Sequence, residues 1–418
     1  GAEAMVKAYL ISTGTELLLG TTLDTNSVFL SRKLAEIGVK VIGKSVVGDN
    51  PDSIATAIRT GLASADLVIT TGGLGPTRDD LTKEIACEVA GAEMKLIKEE
   101  EERLRDYFRR RHRPMPEINL KQAMFPEQAT VIPNSLGTAP GMFLPLDNNQ
   151  VIICLPGPPR EAEPMYENYV KDLLIKTYQL TDSPSASRII RIFGPGESQV
   201  EEMLQEIMDK ARNYNLALLA SEGEIIVRVT AEGQNQNESL DILSKVTEQI
   251  NQIMGKSVFG YDDDTLSSVV AKLLCNRGRS VSVAESCTGG LLGKMLTDIP
   301  GSSRYFWGGV LTYSNEAKQK LLGVKEETLQ KYGAVSRETA LEMAWGVKRL
   351  SGTDLGVSIT GIAGPEGGSK EKPVGLVYMA VVGDNLEQVR EMHFVGNRAA
   401  IRTLSAKSAL DLLRLQLL

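Results

Sequence analysis

Residues 66–80 read DLVITTGGLGPTRDD, an apolar run that passes directly into Gly72-Gly73-Leu74-Gly75-Pro76-Thr77 and then into a segment of helical periodicity. The run predicts a buried strand, and Asp79 and Asp80 are expected in the first turn of the helix that follows. A glycine-rich turn at the carboxyl end of a parallel strand lets backbone N–H groups approach a phosphate, and a helix N-terminus adds favourable potential for an anion. Neither G-x-x-x-x-G-K-[ST] nor G-x-G-x-x-G occurs here, so the turn is not a P-loop or a dinucleotide fingerprint. An ordinary tight turn is the competing reading, with Asp79 and Asp80 as helix caps.

Working outward, VKAYLIST (6–13), VKVIGKSVV (39–47) and QVIICLPGPP (150–159) are further strand-like runs separated by helical patterns. Between the second and third runs, Asp49-Asn50-Pro51-Asp52 supplies cap and first-turn residues, and Ile54, Ala57, Ile58 and Leu62 follow at helical spacing. This alternation predicts βαβ units and a doubly wound, mostly parallel sheet over residues 5–177. In such a sheet the loops at the carboxyl ends of the strands converge on one crevice. Those loops contain Thr13-Gly14-Thr15-Glu16, with Asp24 and Asn26 soon after, Asn134 to Gly141 with Gly137 inside it, and Leu155 to Glu161. Glu16, Asp24, Asp79 and Asp80 are the oxygen ligands that would hold a hard divalent cation against a pyrophosphate. From Ile97 to His112, acidic residues open and Arg109 to Arg111 close a helical pattern that matches the macrodipole at both ends. A solvated helix face and a phosphate-binding role are the two readings of that charge run.

The polar, Pro-containing stretch TDSPSAS (181–187) reads as a linker, and a small α+β unit follows over 186–256 in the order βαββα, with a turn at Ser221-Glu222-Gly223. That order resembles a KH-type module. No G-x-x-G loop between paired helices is found, and that loop clamps nucleic-acid backbone in the binding members. The unit therefore reads as a spacer or dimerisation element. From Asp262 to the end, SVSVAES, GGVLTYS, DLGVSIT, GLVYMAVV and VREMHFVG alternate with helices, and an amphipathic helix closes the chain from Arg398 to Leu413. This is a second α/β layer.

SVSVAE ends in Ser286-Cys287-Thr288-Gly289-Gly290 before a helix, which presents a hydroxyl at a strand-to-helix turn with free amides behind it, the arrangement an acyl-transfer nucleophile needs. A serine N-cap is the bland alternative. His112 and His393 are poorly placed as bases, which leaves Lys318, one turn inside the helix that begins at Thr312-Tyr313-Ser314-Asn315. Desolvation near Ser286 would lower its pKa and let it accept the hydroxyl proton; a surface lysine is the other reading. Cys287 is a competing nucleophile whose side chain is expected to point to the opposite side. Ser358-Ile359-Thr360-Gly361-Ile362-Ala363-Gly364-Pro365 forms another glycine-rich strand end, with Arg398 or Arg402 as charge partner and the following GSKEKPVG as a lid.

The chain has 418 residues, 46 Lys+Arg against 53 Asp+Glu, a formal charge of -7 and two histidines. That length supports two or three domains. The acidic balance argues against a general nucleic-acid binder, which draws its free energy from neutralising phosphates. The apolar runs are too short to span a bilayer and no signal core is apparent, so a cytoplasmic location is expected. Gly1–Ala4 ahead of Met5 read as an expression scar. The four cysteines show no metal-ligand spacing and are expected as free thiols.

TTGGLGPTRDD, NSLGTAPGM and LPGPPREAEPM resemble the MoaB/MogA-like, molybdopterin-binding domain in the version that opens proteins of the CinA family (competence/damage-inducible protein A). AESCTGG, TYSNEAK, GAVS and TGIAGPEGG with KPVG resemble the C-terminal domain of that family, also found alone as PncC-type nicotinamide mononucleotide deamidase. The resemblance implies an ADP-ribose pyrophosphatase in the first domain, giving AMP and ribose 5-phosphate, and a deamidase over 262–418, giving nicotinate mononucleotide and ammonia. For the first it implies phosphate or substrate contacts at Gly14, Glu16, Asn26, Gly73, Gly75, Thr77, Asn134 and Gly137, and a divalent metal (Mg²⁺, Mn²⁺ or Co²⁺), with K⁺ as an accessory ion, at Asp24, Asp79 and Asp80. For the second it implies Ser286 as nucleophile, Lys318 as base and Tyr313 as its helper, without a cofactor. The resemblance further implies the backbone of Thr288 and Gly289 as its oxyanion donors, and Thr360, Gly361, Gly364, Arg398 and Arg402 as residues of the substrate site. A homodimer is expected. A molybdopterin-binding module, or a competence accessory protein without turnover, is the rival reading.

Overall fold

The computed structural model describes residues 5–180 and 185–418, so Gly1–Ala4 and the first four residues of the expected linker lie outside the described residues. The chain forms two compact units that divide after residue 183.

The first unit is built on a six-stranded sheet whose strands are β1 (Lys7–Thr13), β2 (Lys40–Val47), β3 (Leu67–Thr71), β4 (Thr130–Ile132), β5 (Gly141–Pro145) and β6 (Val151–Leu155), in the order β2-β1-β3-β6-β5-β4. Strands β2, β1, β3 and β6 run parallel; β5 pairs antiparallel with β6, and β4 antiparallel with β5, so only β5 runs against the rest. All five residues of both β3 and β6 are buried, as expected for strands covered on both faces. Helix α1 (Thr25–Glu36) contributes Leu30 and Leu34 to one core layer, while α2 (Pro51–Ser64) and α3 (Thr82–Ala90) pack Ile54, Ile58, Ile85 and Ala86 into the other. Asn50 caps α2 by accepting from the Ser53 amide.

Two local expectations change. Helix α3 begins at Thr82, so Asp79 and Asp80 lie in the turn before it rather than in its first turn. Asp80 does not cap that helix: its Oδ2 accepts from the amide and hydroxyl of Thr77 at 2.9 and 2.6 Å. The charged segment 97–112 is helical as α4 (Lys98–Arg109), where Arg105 pairs with Glu101 and Arg109 with Asp106 along the solvated face.

The second unit opens with β7 (Ser185–Phe193), which absorbs the end of the expected linker, then α5 (Glu197–Asp209), β8 (Tyr214–Ser221), β9 (Glu224–Glu232) and α6 (Gln236–Met254). Glu222 and Gly223 both take positive φ between β8 and β9, the tight hairpin turn expected there. A fourth strand, β10 (Val258–Tyr261), pairs with β7, so the order is βαββαβ and the sheet reads β8-β9-β7-β10. The sequence hides β10 because it is four residues long, contains Gly260 and pairs across a register shift. Helices α5 and α6 are separated by the hairpin, so no helix–G-x-x-G–helix clamp exists among them.

The remaining layer contains α7 (Leu266–Arg277), β11 (Val281–Glu285), α8 (Leu291–Thr297), β12 (Phe306–Leu311), α9 (Asn315–Leu322), α10 (Arg337–Ser351), β13 (Leu355–Gly361), β14 (Leu376–Gly383), β15 (Leu386–His393) and α11 (Arg398–Gln416). Its sheet runs β12-β11-β13-β14-β15, with the first three strands parallel, β14 antiparallel to β13 and β15 antiparallel to β14. β15 starts three residues earlier than the sequence suggests and ends at His393; α11 runs three residues further. No helix among the described residues is long and apolar enough to cross a membrane.

Candidate active site

Parallel strands β12 and β11 end side by side, and the loops that leave them bring Ser286 and Lys318 together. Lys318 is 1% exposed and its Nζ stands 3.0 Å from Ser286 Oγ, itself 8% exposed. The same nitrogen donates to the carbonyl oxygens of Thr312 at 2.7 Å and Tyr313 at 3.3 Å. A lysine nitrogen has three positions besides its carbon, and the two carbonyls claim two hydrogens. In the neutral amine the third position is a lone pair aimed at the serine hydroxyl, which is the protonation state a general base requires. Burial drives the group that way, pulling Lys318 from 10.5 down to about 8. Both the N-cap reading of Ser286 and the surface reading of Lys318 fail, since the serine's hydroxyl is spent on the lysine and the lysine is enclosed.

Cys287 is 5% exposed and burial pushes its thiol up to about 11, so it stays protonated and is not the competing nucleophile.

The loop carrying Ser286 is held from two sides. The buried carboxylate of Glu285 accepts from the amides of Gly290, Leu292 and Gly293 at 3.2, 2.9 and 3.0 Å. From α11, Arg402 donates to the carbonyl oxygens of Cys287 and Thr288 at 3.0 and 2.8 Å. Gly289 cannot act as an oxyanion donor as expected, because its amide closes the turn onto the Ser286 carbonyl at 3.1 Å. Among the described residues no backbone carbonyl of a turn or loop accepts from the amides of Cys287 and Thr288, which leaves these as the available pair. Arg402 thus grips the back of the loop rather than facing a substrate.

Tyr313 is 66% exposed; its backbone carbonyl touches Lys318, whereas its hydroxyl accepts from Arg398 at 3.2 Å on the rim. Arg398 also donates to the Gly364 carbonyl at 2.7 Å, so Tyr313, Arg398 and Gly364 form one wall. Thr360 is not part of it: its hydroxyl is buried and donates to the Ala334 carbonyl at 2.7 Å. Gly361 serves the sheet instead, where a side chain would collide with Val377. Glu285 and Thr312 were missed by sequence reasoning. A Glu directly before Ser286, with Gly289-Gly290 and a helix start following, was the capping signal available.

In the first unit the loops after β1, β3 and β6 and the loop entering β5 converge as expected on a cavity of about 510 Å³. Gly14, Glu16, Gly73, Gly75, Thr77 and Gly137 line it, as do Asp79 and Asp80. Gly73 has a φ of 67° and a Cβ there would collide with the Thr82 hydroxyl, so the loop depends on glycine at that position. Asn134 and Asn26 are buried scaffolding. Asn134 accepts from the amides of Leu136 and Gly137 and donates to Glu161, while Asn26 donates to the Gly157 carbonyl.

The expected metal trio is not assembled. Asp24 caps α1, accepting from the Ser27 amide at 3.1 Å and the Ser12 hydroxyl at 2.7 Å, and does not line the cavity. Asp80 is committed to Thr77. Among the described residues no three His, Cys, Asp or Glu side chains close into a group that could hold a metal ion. The residues therefore do not fit the expected metal site, although the cavity is acidic: Glu161, from the expected Leu155 to Glu161 loop, and Asp49, expected only at a helix start, also line it, against Arg160.

The folds and sites define a three-part α/β chain with two separate candidate sites, each at the carboxyl edge of a parallel sheet. Comparison with known proteins gives the family. Residues 9–176 match the family model described as "Probable molybdopterin binding domain", 187–260 the "Damage-inducible protein CinA KH domain" and 263–417 the "CinA C-terminal domain". The chain is 57% identical over 410 residues to the "CinA-like protein" of Syntrophomonas wolfei, covering 98% of each, and 45% identical over 413 residues to the "CinA-like protein" of Kosmotoga olearia, covering 99% of each. The solved competence/damage inducible protein CihA of Agrobacterium tumefaciens matches 36% of this chain and 93% of its own, at 45% identity and a TM-score of 0.36. The chain belongs to the CinA family.

Proposed function

We propose that the C-terminal domain is a serine amidase that converts nicotinamide mononucleotide to nicotinate mononucleotide and ammonia. The enclosed amine of Lys318, facing Ser286 with its other two positions satisfied by carbonyls, carries this reading. Lys318 takes the Ser286 proton as Oγ attacks the carboxamide carbon, and the oxyanion that forms faces the amides of Cys287 and Thr288. The tetrahedral adduct collapses with cleavage of the C–N bond; the Lys318 ammonium returns its proton to the leaving nitrogen, which departs as ammonia. Water, giving a proton to the same amine, then attacks the acyl carbon; the C–Oγ bond breaks, the Lys318 ammonium returns that proton to Ser286 Oγ, and the acid leaves as its carboxylate with loss of its proton to solvent. The pyridine nucleotide as substrate rests on the resemblance in AESCTGG, TYSNEAK and TGIAGPEGG. The test is release of ammonia and nicotinate mononucleotide by the pure chain in chelator, beside Ser286→Ala. Equal release by that variant sinks the assignment.

A second activity, hydrolysis of ADP-ribose to AMP and ribose 5-phosphate, is favoured for the first unit by four convergent loops around one polar cavity. The glycine-rich turn from Gly72 to Gly75, whose residues line that cavity, supplies the backbone amides that would meet the phosphate oxygens. If the unit binds molybdopterin instead, ADP-ribose is not consumed with or without added metal. Cytoplasmic NAD recycling as a homodimer is the setting these reactions suit, and the mass in solution tests the dimer. For the competence accessory reading, the two helices of the KH-like unit are separated by the hairpin and have no G-x-x-G loop between them among the described residues.

A further inference from the structure

A large cleft that shares no lining residue with either site lies within the second unit, between the KH-like sheet and helix α11. It encloses about 730 Å³. Its apolar lining includes Phe193, Met392, Phe394, Leu404 and Leu415. Into this surface projects a charged triad: Asp411 lies between Arg390, at 3.0 Å, and Arg414, at 2.7 Å. Arg414 and Asp411 are buried, and Arg414 also donates to the Lys256 carbonyl at 2.7 Å. Among the described residues Arg390 is engaged through Nη1 alone, on Asp411 and the Ser408 carbonyl, which leaves its Nε and Nη2 edge for another acceptor. That edge is the fork that meets a carboxylate or phosphate with two parallel hydrogen bonds.

The acidic groups nearby do not cancel this charge. Glu224 is held by Lys407 at 3.0 Å and Arg191 at 3.6 Å, and Glu222 by Lys407 at 3.4 Å. On the lining itself Lys256, Arg390 and Arg414 meet Glu197, Glu222, Glu224 and Asp411; Lys407 and Arg191, which stand outside the lining and hold Glu222 and Glu224, bring the network to five cations against four anions. A mostly apolar cavity of this size with a few convergent polar groups is the form a small-molecule site takes.

Helix α11 connects the cleft to the chemistry. Its first turns carry Arg398 and Arg402, which hold Gly364, Tyr313 and the Ser286 loop; the next turns carry Leu404, Ser408, Asp411 and Arg414, which line the cleft. A ligand that shifts this helix has a direct mechanical route to Ser286.

We propose that this cleft is a second ligand site, for a small organic anion with an apolar or aromatic body, and that its occupancy alters turnover at Ser286 through α11. The coupling rests on the amidase reading; the binding does not.

The probe is 8-anilinonaphthalene-1-sulfonate, with the uncharged N-phenyl-1-naphthylamine as its comparison, titrated by fluorescence into the full chain. Saturable binding of one sulfonate per chain is expected, about tenfold tighter than the neutral analogue, as one charge-assisted contact implies. Leu404→Trp, which fills the cleft, and Arg390→Gln, which removes the fork, should each weaken the sulfonate about tenfold. Equal affinity for the two probes overturns the anion, and unchanged affinity in both variants overturns the site. Nicotinamide mononucleotide turnover at saturating probe should change in the wild type but not in Leu404→Trp; an unchanged wild-type rate overturns the coupling. A chain with no amidase activity at all refutes the earlier reading, while the fluorescence titration still decides the site.

Discussion

The sharpest consequence of the Ser286–Lys318 geometry is a pH dependence whose position is set by burial. An ordinary lysine with a pKa of 10.5 is neutral in only about 0.03% of molecules at pH 7, whereas a pKa of about 8 leaves about 9% neutral, a gain of roughly 300-fold in usable base. Amidase turnover should therefore climb about tenfold between pH 7 and 9 and level off above, with an apparent midpoint near 8. Stability follows the same group. The unfolded chain holds the proton up to 10.5 and the folded chain only to about 8, so the folded state binds fewer protons in that window. The cost of burying the group is fully present below 8 and fades as pH rises toward 10.5, amounting to roughly 3 kcal/mol at most.

The perturbation that separates charge from contact is Lys318→Arg. A guanidinium keeps donors for the Thr312 and Tyr313 carbonyls but holds its proton throughout the accessible range. Steady-state ammonia release from pH 6 to 10 should fall by about 10²- to 10⁴-fold, the usual worth of a general base. In Lys318→Ala, small primary amines added to the buffer should restore part of the rate. A rate flat between pH 6 and 9, or an arginine variant keeping more than a tenth of wild-type turnover, would refute the reasoning.

Three further outcomes follow from single contacts. Cys287→Ala should change ammonia release less than about twofold, because the thiol is protonated and buried among apolar groups. Gly73→Ala should abolish ADP-ribose hydrolysis and leave ammonia release unchanged, since the added Cβ meets Thr82 in a loop of the first unit only; loss of both activities would contradict the separation of the sites. Asp24→Ala should cost about 1 kcal/mol in urea unfolding, as removal of a helix cap does, while ADP-ribose turnover by the folded fraction persists. Turnover lost at unchanged stability would restore Asp24 to the metal.

What was legible in the sequence divides by what each side chain must do locally. Ser286 could be found because it sits at a strand-to-helix turn, and Lys318 because it stands one turn inside the helix that the neighbouring turn opens. The parallel order of β11 and β12 then makes the meeting of the two loops nearly obligatory. The four convergent loops of the first unit were legible for the same reason. Asp24, Asn134 and Thr360 had the chemistry of ligands, but their short polar side chains are consumed by nearby backbone: a helix amide, a loop amide pair and a carbonyl. Sequence spacing does not distinguish a polar side chain that closes a turn from one that faces a substrate, because both occur at the same strand ends.

The amide of Gly289 shows the consequence for catalysis. It looked like an oxyanion donor, yet it closes the turn that Glu285 and Arg402 hold from either side. The groups nearest the nucleophile are thus split between a few that can face the substrate and several that keep those few in place. Glu285 carries the greatest share of the second role. Its carboxylate fixes the start of α8 while its carbonyl accepts from the Thr312 amide at 2.9 Å, in the residue whose own carbonyl holds Lys318. One buried residue therefore sets the distance between nucleophile and base from both ends. Glu285→Gln, which replaces an acceptor oxygen with a donor facing an amide, should lower the rate of acyl-serine formation with little change in KM; Glu285→Asp should not restore it, because the shorter side chain cannot span all three amides. A variant with normal kcat and only a lowered melting temperature would confine Glu285 to folding.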